Sequence, residues 1–191
     1  MMFTDYLDLR TGVLDRVGNS DKLTPVFDQI TKFAEVRLNR DLRTSDQITS
    51  SAFTISSGVG SLPAGLLKVI GIYDSSGRGI TAGSEAQREA GQTVFSVVGS
   101  QIKGPDGTYT LTYYAALDSL TDDLEGTNWL LEKAPDVYLY SICEEAAKWL
   151  RDVESAVAYA QMRQTAMNEF LSANGSLRFS DALLKVRGVT P

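Results

Sequence analysis

The residues best suited to chemistry crowd into one short stretch: Asp118, Asp122, Asp123 and Glu125 stand within eight positions. Carboxylates this close can hold Ca²⁺ or work as a general acid and base. Their spacing lacks the D-x-D-x-D-G order of a calcium loop. The chain has no His at all, which removes Ser-His-Asp triads, Cys-His pairs and His-based zinc sites. A carboxylate-dependent hydrolase or lyase using Asp122, Asp123 or Glu125 would need a cleft that holds one of them away from solvent. No such signal is present, and the four read as a solvated acidic loop. The single thiol, Cys143, falls on the apolar face of an expected helix and reads as a small core residue rather than a nucleophile. One Cys makes no internal disulfide, which fits a reducing cytoplasm. No catalytic, cofactor-binding or metal-binding residue is assigned.

A second charged group has the opposite sign. Arg37, Arg40 and Arg43 share one face of an expected helix with Glu35. Charges in such a run ordinarily face water. The chain as a whole carries 24 acidic against 18 basic residues, a formal net charge of −6. That balance opposes general nucleic-acid binding, which needs clustered Lys and Arg to neutralise phosphates. It suits a wall past which a duplex slides without sticking.

The elements that position these groups follow from periodicity. The 191 residues, 43% hydrophobic and 22% charged, match an ordinary globular chain that folds without disulfide or metal. Residues 3–17 predict a first helix through Phe3, Tyr6, Leu7, Val13, Leu14 and Val17, with Thr4 as cap. Leu23-Thr24-Pro25 opens a second over residues 24–43, with Phe27, Ile30, Phe33, Ala34, Leu38 and Leu42 on its apolar face. From about 50 to 115 the period becomes two, predicting a small antiparallel β region with one buried face. LKVIGIY (Leu67–Tyr73) reads as a well-buried strand, and Tyr109, Leu111 and Tyr113 alternate with Thr108, Thr110 and Thr112. Gly104-Pro105-Asp106-Gly107 is a turn, and Ser84 to Gln87 a capping box before a short helix over 85–90. Pro135 starts a helix over 135–151 whose stripe includes Tyr138, Leu139, Ile142, Cys143, Ala146, Trp149 and Leu150. Asp152 caps another over 153–173, stopped by Asn174-Gly175. The fold class is α+β, mainly α: about four longer helices, an inserted antiparallel β region, and an extended C-terminal tail beyond a single domain of residues 1–174.

MMFTDYLDLR lacks the basic flank and apolar run of a signal peptide. No apolar stretch approaches the ~18 residues of a membrane span. A soluble protein made in the cytoplasm is expected.

Three stretches together resemble the head-to-tail adaptor (connector or neck) proteins of tailed bacteriophages. They are FAEVRLNRDLR (Phe33–Arg43), LPAGLLKVIGIY (Leu62–Tyr73), and the run from the aromatic strand through NWLLEKAPDVYLY into the last helix pair. They span most of residues 3–172 in the expected order. Gly65-Leu66 departs from the acidic-aromatic pair expected after Leu-Pro-Ala, and residues 80–92 have no clear counterpart. The resemblance implies a structural virion protein at the head–tail junction. Such a protein forms a ring, usually about twelvefold, that binds the portal and tail or nozzle proteins, with tail fibres as a further implied partner. Double-stranded DNA would only pass through the channel. The resemblance carries no cofactor and no membrane contact. A tail-completion or other neck protein not bound to the portal is the nearest alternative.

Two residue groups are expected to make the contacts. A ring needs each protomer to offer two different complementary faces; Arg37, Arg40 and Arg43 against Asp118, Asp122, Asp123 and Glu125 fit that need. The tail (residues 175–191) is locally basic and apolar, with Leu177, Arg178, Phe179, Leu183, Leu184, Val186 and Arg187. It is expected to be mobile in the free protomer and to order on the portal or a neighbouring subunit.

Overall fold

The computed structural model describes residues 3–84, Gln87 and 94–184, with 175–184 described through their backbone alone. The chain divides into a helical unit, Met1–Thr44 with Leu117–Pro191, and a β unit, Ser45–Ala116. The fold is α+β and mainly α.

In the helical unit, α1 (Tyr6–Val17) is capped by Asp5, whose carboxylate accepts the Asp8 amide at 2.8 Å. The cap is thus one residue beyond the expected Thr4, and the helix starts three residues later than predicted. Gly18 ends it at φ +70°, a conformation that suits glycine at a helix end. A short helix α2 (Ser20–Leu23) and a 3-10 turn (Thr24–Val26) then lead into α3 (Phe27–Asp41). Pro25 sits in that tighter first turn, where its missing N–H leaves nothing unpaired. Next come α4 (Trp129–Lys133), α5 (Pro135–Trp149) and α6 (Val153–Leu184). Asp152 receives the Ser155 amide at 3.1 Å, the cap expected for α6.

The expected stop at Asn174-Gly175 does not end α6, which runs to Leu184. A glycine inside a helix costs about 1 kcal/mol relative to alanine and does not by itself break it. The core of this unit joins Tyr6, Leu9, Phe27, Leu38, Tyr138 and Ile142, all essentially inaccessible, with Cys143 among them. Three residues expected on the inward stripes face outward instead. Leu7, Phe33 and Trp149 are each about half exposed, at 51%, 53% and 49%. The apolar arc on these helices is wider than the arc that packing covers.

The β unit contains two sheets rather than one. In the first, β7 (Gly107–Ala115) lies between β1 (Ile48–Ile55) and β3 (Leu66–Tyr73), both antiparallel to it. The second has the order β2 (Val59–Ser61), β6 (Gln101–Lys103), β5 (Val94–Val98), β4 (Thr81–Ala82). Its β4–β5 pair is parallel, so the region is not purely antiparallel. Tyr109, Leu111 and Tyr113 do point inward, packing with Ile55, Ile72, Phe95 and Ile102. β3 is an edge strand; only Ile72 is buried and Ile70 is 44% exposed. Its apolar composition overstated its burial. The Ser84–Gln87 capping box forms, with both reciprocal hydrogen bonds. The rest of the helix expected over 85–90 lies outside the described residues.

Candidate interaction surfaces

The acidic loop is held by a buried carboxylate whose arginine-rich surroundings in the sequence predict a solvent-facing charge. Glu35, only 6% exposed, accepts hydrogen bonds from the Tyr138 hydroxyl at 2.7 Å, the Ser119 hydroxyl at 2.7 Å and the Leu120 amide at 2.9 Å. Asn39, one turn along α3, accepts the Leu117 amide at 2.9 Å. At the far end of the loop, Asn128 caps α4 by accepting the Leu131 amide, and its amide group donates to the Asp118 carbonyl at 2.7 Å and to Tyr138 at 3.3 Å. The first two amides of α1 complete the fastening. Tyr6 donates to the Gly126 carbonyl and Leu7 to the Leu124 carbonyl, each at 3.1 Å. Helix-start amides lack an intrahelical partner, and here the loop backbone supplies one. Burial, reinforced by the negative charge of Glu35, pushes the Tyr138 phenol far above its ordinary value of 10.0. The hydroxyl therefore remains a donor.

Fixing the loop leaves its charges outside. Asp118, Asp122, Asp123 and Glu125 are all exposed, as is Leu124 at 51%. Asp123 accepts the Glu125 amide at 3.1 Å, a local turn contact. Residues 116–128 contain these four carboxylates and no Lys or Arg. Among the described residues, no group of three or more His, Cys, Asp or Glu is placed to hold a metal ion.

The three arginines separate into three different roles. Arg37 pairs with Glu144, and with Glu145 at 3.0 Å. Arg43 turns back on the end of α3 and donates to the carbonyls of Leu42 and Asn39, a C-terminal cap. Arg40 is exposed and makes no ion pair among the described residues.

Glu144 organises the flank of α3 that Arg37 occupies. Its side chain is 2% exposed and is surrounded by Arg37, Lys148 at 2.7 Å and Arg163 at 2.9 Å. Arg163, itself buried, also reaches Asp41 at 3.1 Å. Burial alone would raise the Glu144 pKa. The hydrogen bonds from Lys148 and Arg163, with the charges of Lys148 and Arg37, outweigh it and hold the carboxyl below its usual range. This cluster joins α3, α5 and α6.

Two grooves border it. One, of about 440 Å³, is lined by Phe33, Val36, Arg37, Arg40, Glu145 and Lys148. The other, of about 490 Å³, runs along Lys148, Arg151, Val153, Ala156 and Val157. Phe33, Val36, Val153 and Val157 are 53%, 49%, 73% and 54% exposed, so the helical unit presents large apolar side chains beside cations. Periodicity assigned Phe33 to the core and gave no signal for Val36. Their exposure depends on which neighbours α3 meets.

Of the tail residues proposed to bind, Leu177, Arg178, Phe179, Leu183 and Leu184 lie on the backbone of α6. Val186 and Arg187 lie outside the described residues. No described helix is long and apolar enough to cross a membrane.

No curated protein matches the sequence. The model of one family matches residues 4–184, which takes in both units. The chain belongs to the SU10 adaptor protein family.

Proposed function

We propose that this protein is a structural component of a phage virion. In this reading, copies assemble into a ring between the portal and the tail and continue the DNA channel. The observation that carries it is the family match over residues 4–184, nearly the whole chain. The architecture is compatible. Its exposed carboxylates sit on a loop open to water, and its buried carboxylates, Glu35 and Glu144, are already engaged by internal donors. The reading assigns no catalytic step.

In the same reading, residues 176–191 bind the portal or a neighbouring subunit through Leu177, Phe179, Leu183 and Leu184, with Arg178, Val186 and Arg187 alongside. Each fully buried apolar side chain would contribute about 1.5–3 kcal/mol to that contact. The test is to mix the purified chain with portal particles and image the product by electron microscopy. A ring under the portal is expected, and deletion of residues 176–191 should abolish attachment while the urea midpoint of the body stays unchanged and the helical circular dichroism falls only by the removed end of α6. Binding to tail proteins with none to the portal would reassign the chain to a lower position in the neck.

A further inference from the structure

The two flanks of α3 carry surfaces that suit each other. With 3.6 residues per turn, Phe33 and Arg40 project about 160° and 140° from Glu35 around the helix axis. The Glu35 flank holds the acidic loop, and the opposite flank lines the 440 Å³ groove. On the loop, Leu124 is the exposed apolar residue, set between Asp123 and Glu125. In the groove, Phe33 and Val36 supply exposed apolar surface one turn apart, and Arg37, Arg40 and Lys148 outnumber Glu145. Arg37 and Lys148 already share the carboxylates of Glu144 and Glu145, so Arg40 brings the uncommitted charge.

We propose that Leu124 of one copy docks between Phe33 and Val36 of the next, with Asp122 and Asp123 facing Arg40. The occupant of the groove is thus a second copy of this chain, and the argument rests on the ring reading given above. A contact between two different patches repeats head to tail, and it closes when the rotation per copy divides a circle. Both patches are ordered in advance. The Leu124 carbonyl is fixed by the Leu7 amide, the loop base by Glu35, and the groove wall by the Glu144 cluster. Association then loses little conformational freedom. The opposite charges select the partner face and register more than they add affinity. Of the three arginines first paired with the acidic loop, this assignment keeps Arg40 as the direct partner. Arg37 becomes a groove wall and Arg43 a helix cap.

The chain is convenient for a cross-linking test. Its one cysteine, Cys143, is buried, and burial pushes the thiol up to about 12 despite the nearby charge of Arg16. Added surface thiols will therefore react without competition. The full-length chain carrying Val36→Cys and Leu124→Cys together should give a covalent ladder of multimers on oxidation of assembled particles. A mixture of the two single variants should stop at dimers, because each carries half of a head-to-tail contact. Separately, Arg40→Glu should weaken assembly about ten-fold or more, through like-charge repulsion. Adding Asp122→Arg and Asp123→Arg to it should restore assembly. Particles that contain a ring, seen by electron microscopy, but give no ladder would overturn the docking and leave the ring reading intact. Particles with no ring of this chain would overturn both.

Discussion

The two flanks of α3 each meet a buried carboxylate, and the two are satisfied in opposite ways. Glu35 is solvated by neutral donors: a phenol, a hydroxyl and a backbone amide. Glu144 is solvated by Arg37, Lys148 and Arg163. The first arrangement places a loop, because its donors lie on the loop and on α5. The second locks helices together, because its cations come from α3, α5 and α6. Neutral donors hold a carboxylate in position and leave its charge uncancelled. A ring of cations cancels the charge and makes each partner depend on the others. The acidic side of the unit therefore keeps its charge, whereas the basic side has spent most of its own internally.

Removing Glu144 should have the largest effect. Glu144→Ala leaves the buried Arg163 guanidinium with the partly exposed Asp41 as its remaining partner, and breaking a buried pair costs up to about 3–5 kcal/mol. Urea denaturation should show that loss, and a change below about 1 kcal/mol would mean the cluster behaves as a surface pair. The flanks should also separate by pH. Because the folded Glu144 pKa is depressed, its contribution is present above the unfolded value and is lost as pH falls through the folded one. That window lies below about pH 4.3. The Tyr138 phenol is raised in the folded state, so its contribution is full below about pH 10 and fades as pH rises beyond it. Acid should weaken the Glu144 flank first and alkali the Tyr138 flank. Tyr138→Phe should make the alkaline limb shallower, the raised Tyr6 phenol and Cys143 thiol supplying the rest, and leave the acid limb unchanged.

Glu35→Ala comes next. It leaves the Tyr138 hydroxyl, the Leu120 amide and the Ser119 hydroxyl without their acceptor, a loss of about 2 kcal/mol. The loop from 118 to 126 should then become a preferred site of limited proteolysis. Asn128→Ala should cost about 1 kcal/mol, the usual value of a helix cap, with slower proteolysis than Glu35→Ala because Glu35 still holds the loop base. Equal cleavage in the two variants would show that both ends of the loop matter alike.

Much of the fold was legible because local rules and tertiary structure agree. The inward alternation of Tyr109, Leu111 and Tyr113, the Asp152 cap and the break between β6 and β7 at Gly104–Asp106 all follow from residue type and period. Glu35 was not legible. Its donors Ser119 and Tyr138 are 84 and 103 positions away, and among three arginines it reads as another surface charge. The reverse error befell Phe33, whose apolar side chain suits a core that does not extend to it. Of the residues proposed for contact, the acidic set and Arg40 were visible as charges. Leu124, Val36 and the groove required the surface itself. Residue type states what a side chain can do, while solvent exposure is decided by partners distant in sequence.

The smallest expected effect on stability tests the comparison most directly. Phe33 and Val36 are half exposed on the open flank, so Phe33→Ser with Val36→Ser removes side chains that the folded protomer covers only by half. Stability should move by no more than about 0.5 kcal/mol, as for ordinary surface substitutions. If the flank exists for contact, the same variant should fail to assemble while keeping the wild-type urea midpoint. A loss of stability comparable to that of Glu35→Ala would instead mean that Phe33 and Val36 support the helical unit, and the two flanks would no longer differ in kind. Full assembly with unchanged stability would leave the groove without a purpose in the ring, and the asymmetry between the flanks would then be one of folding alone.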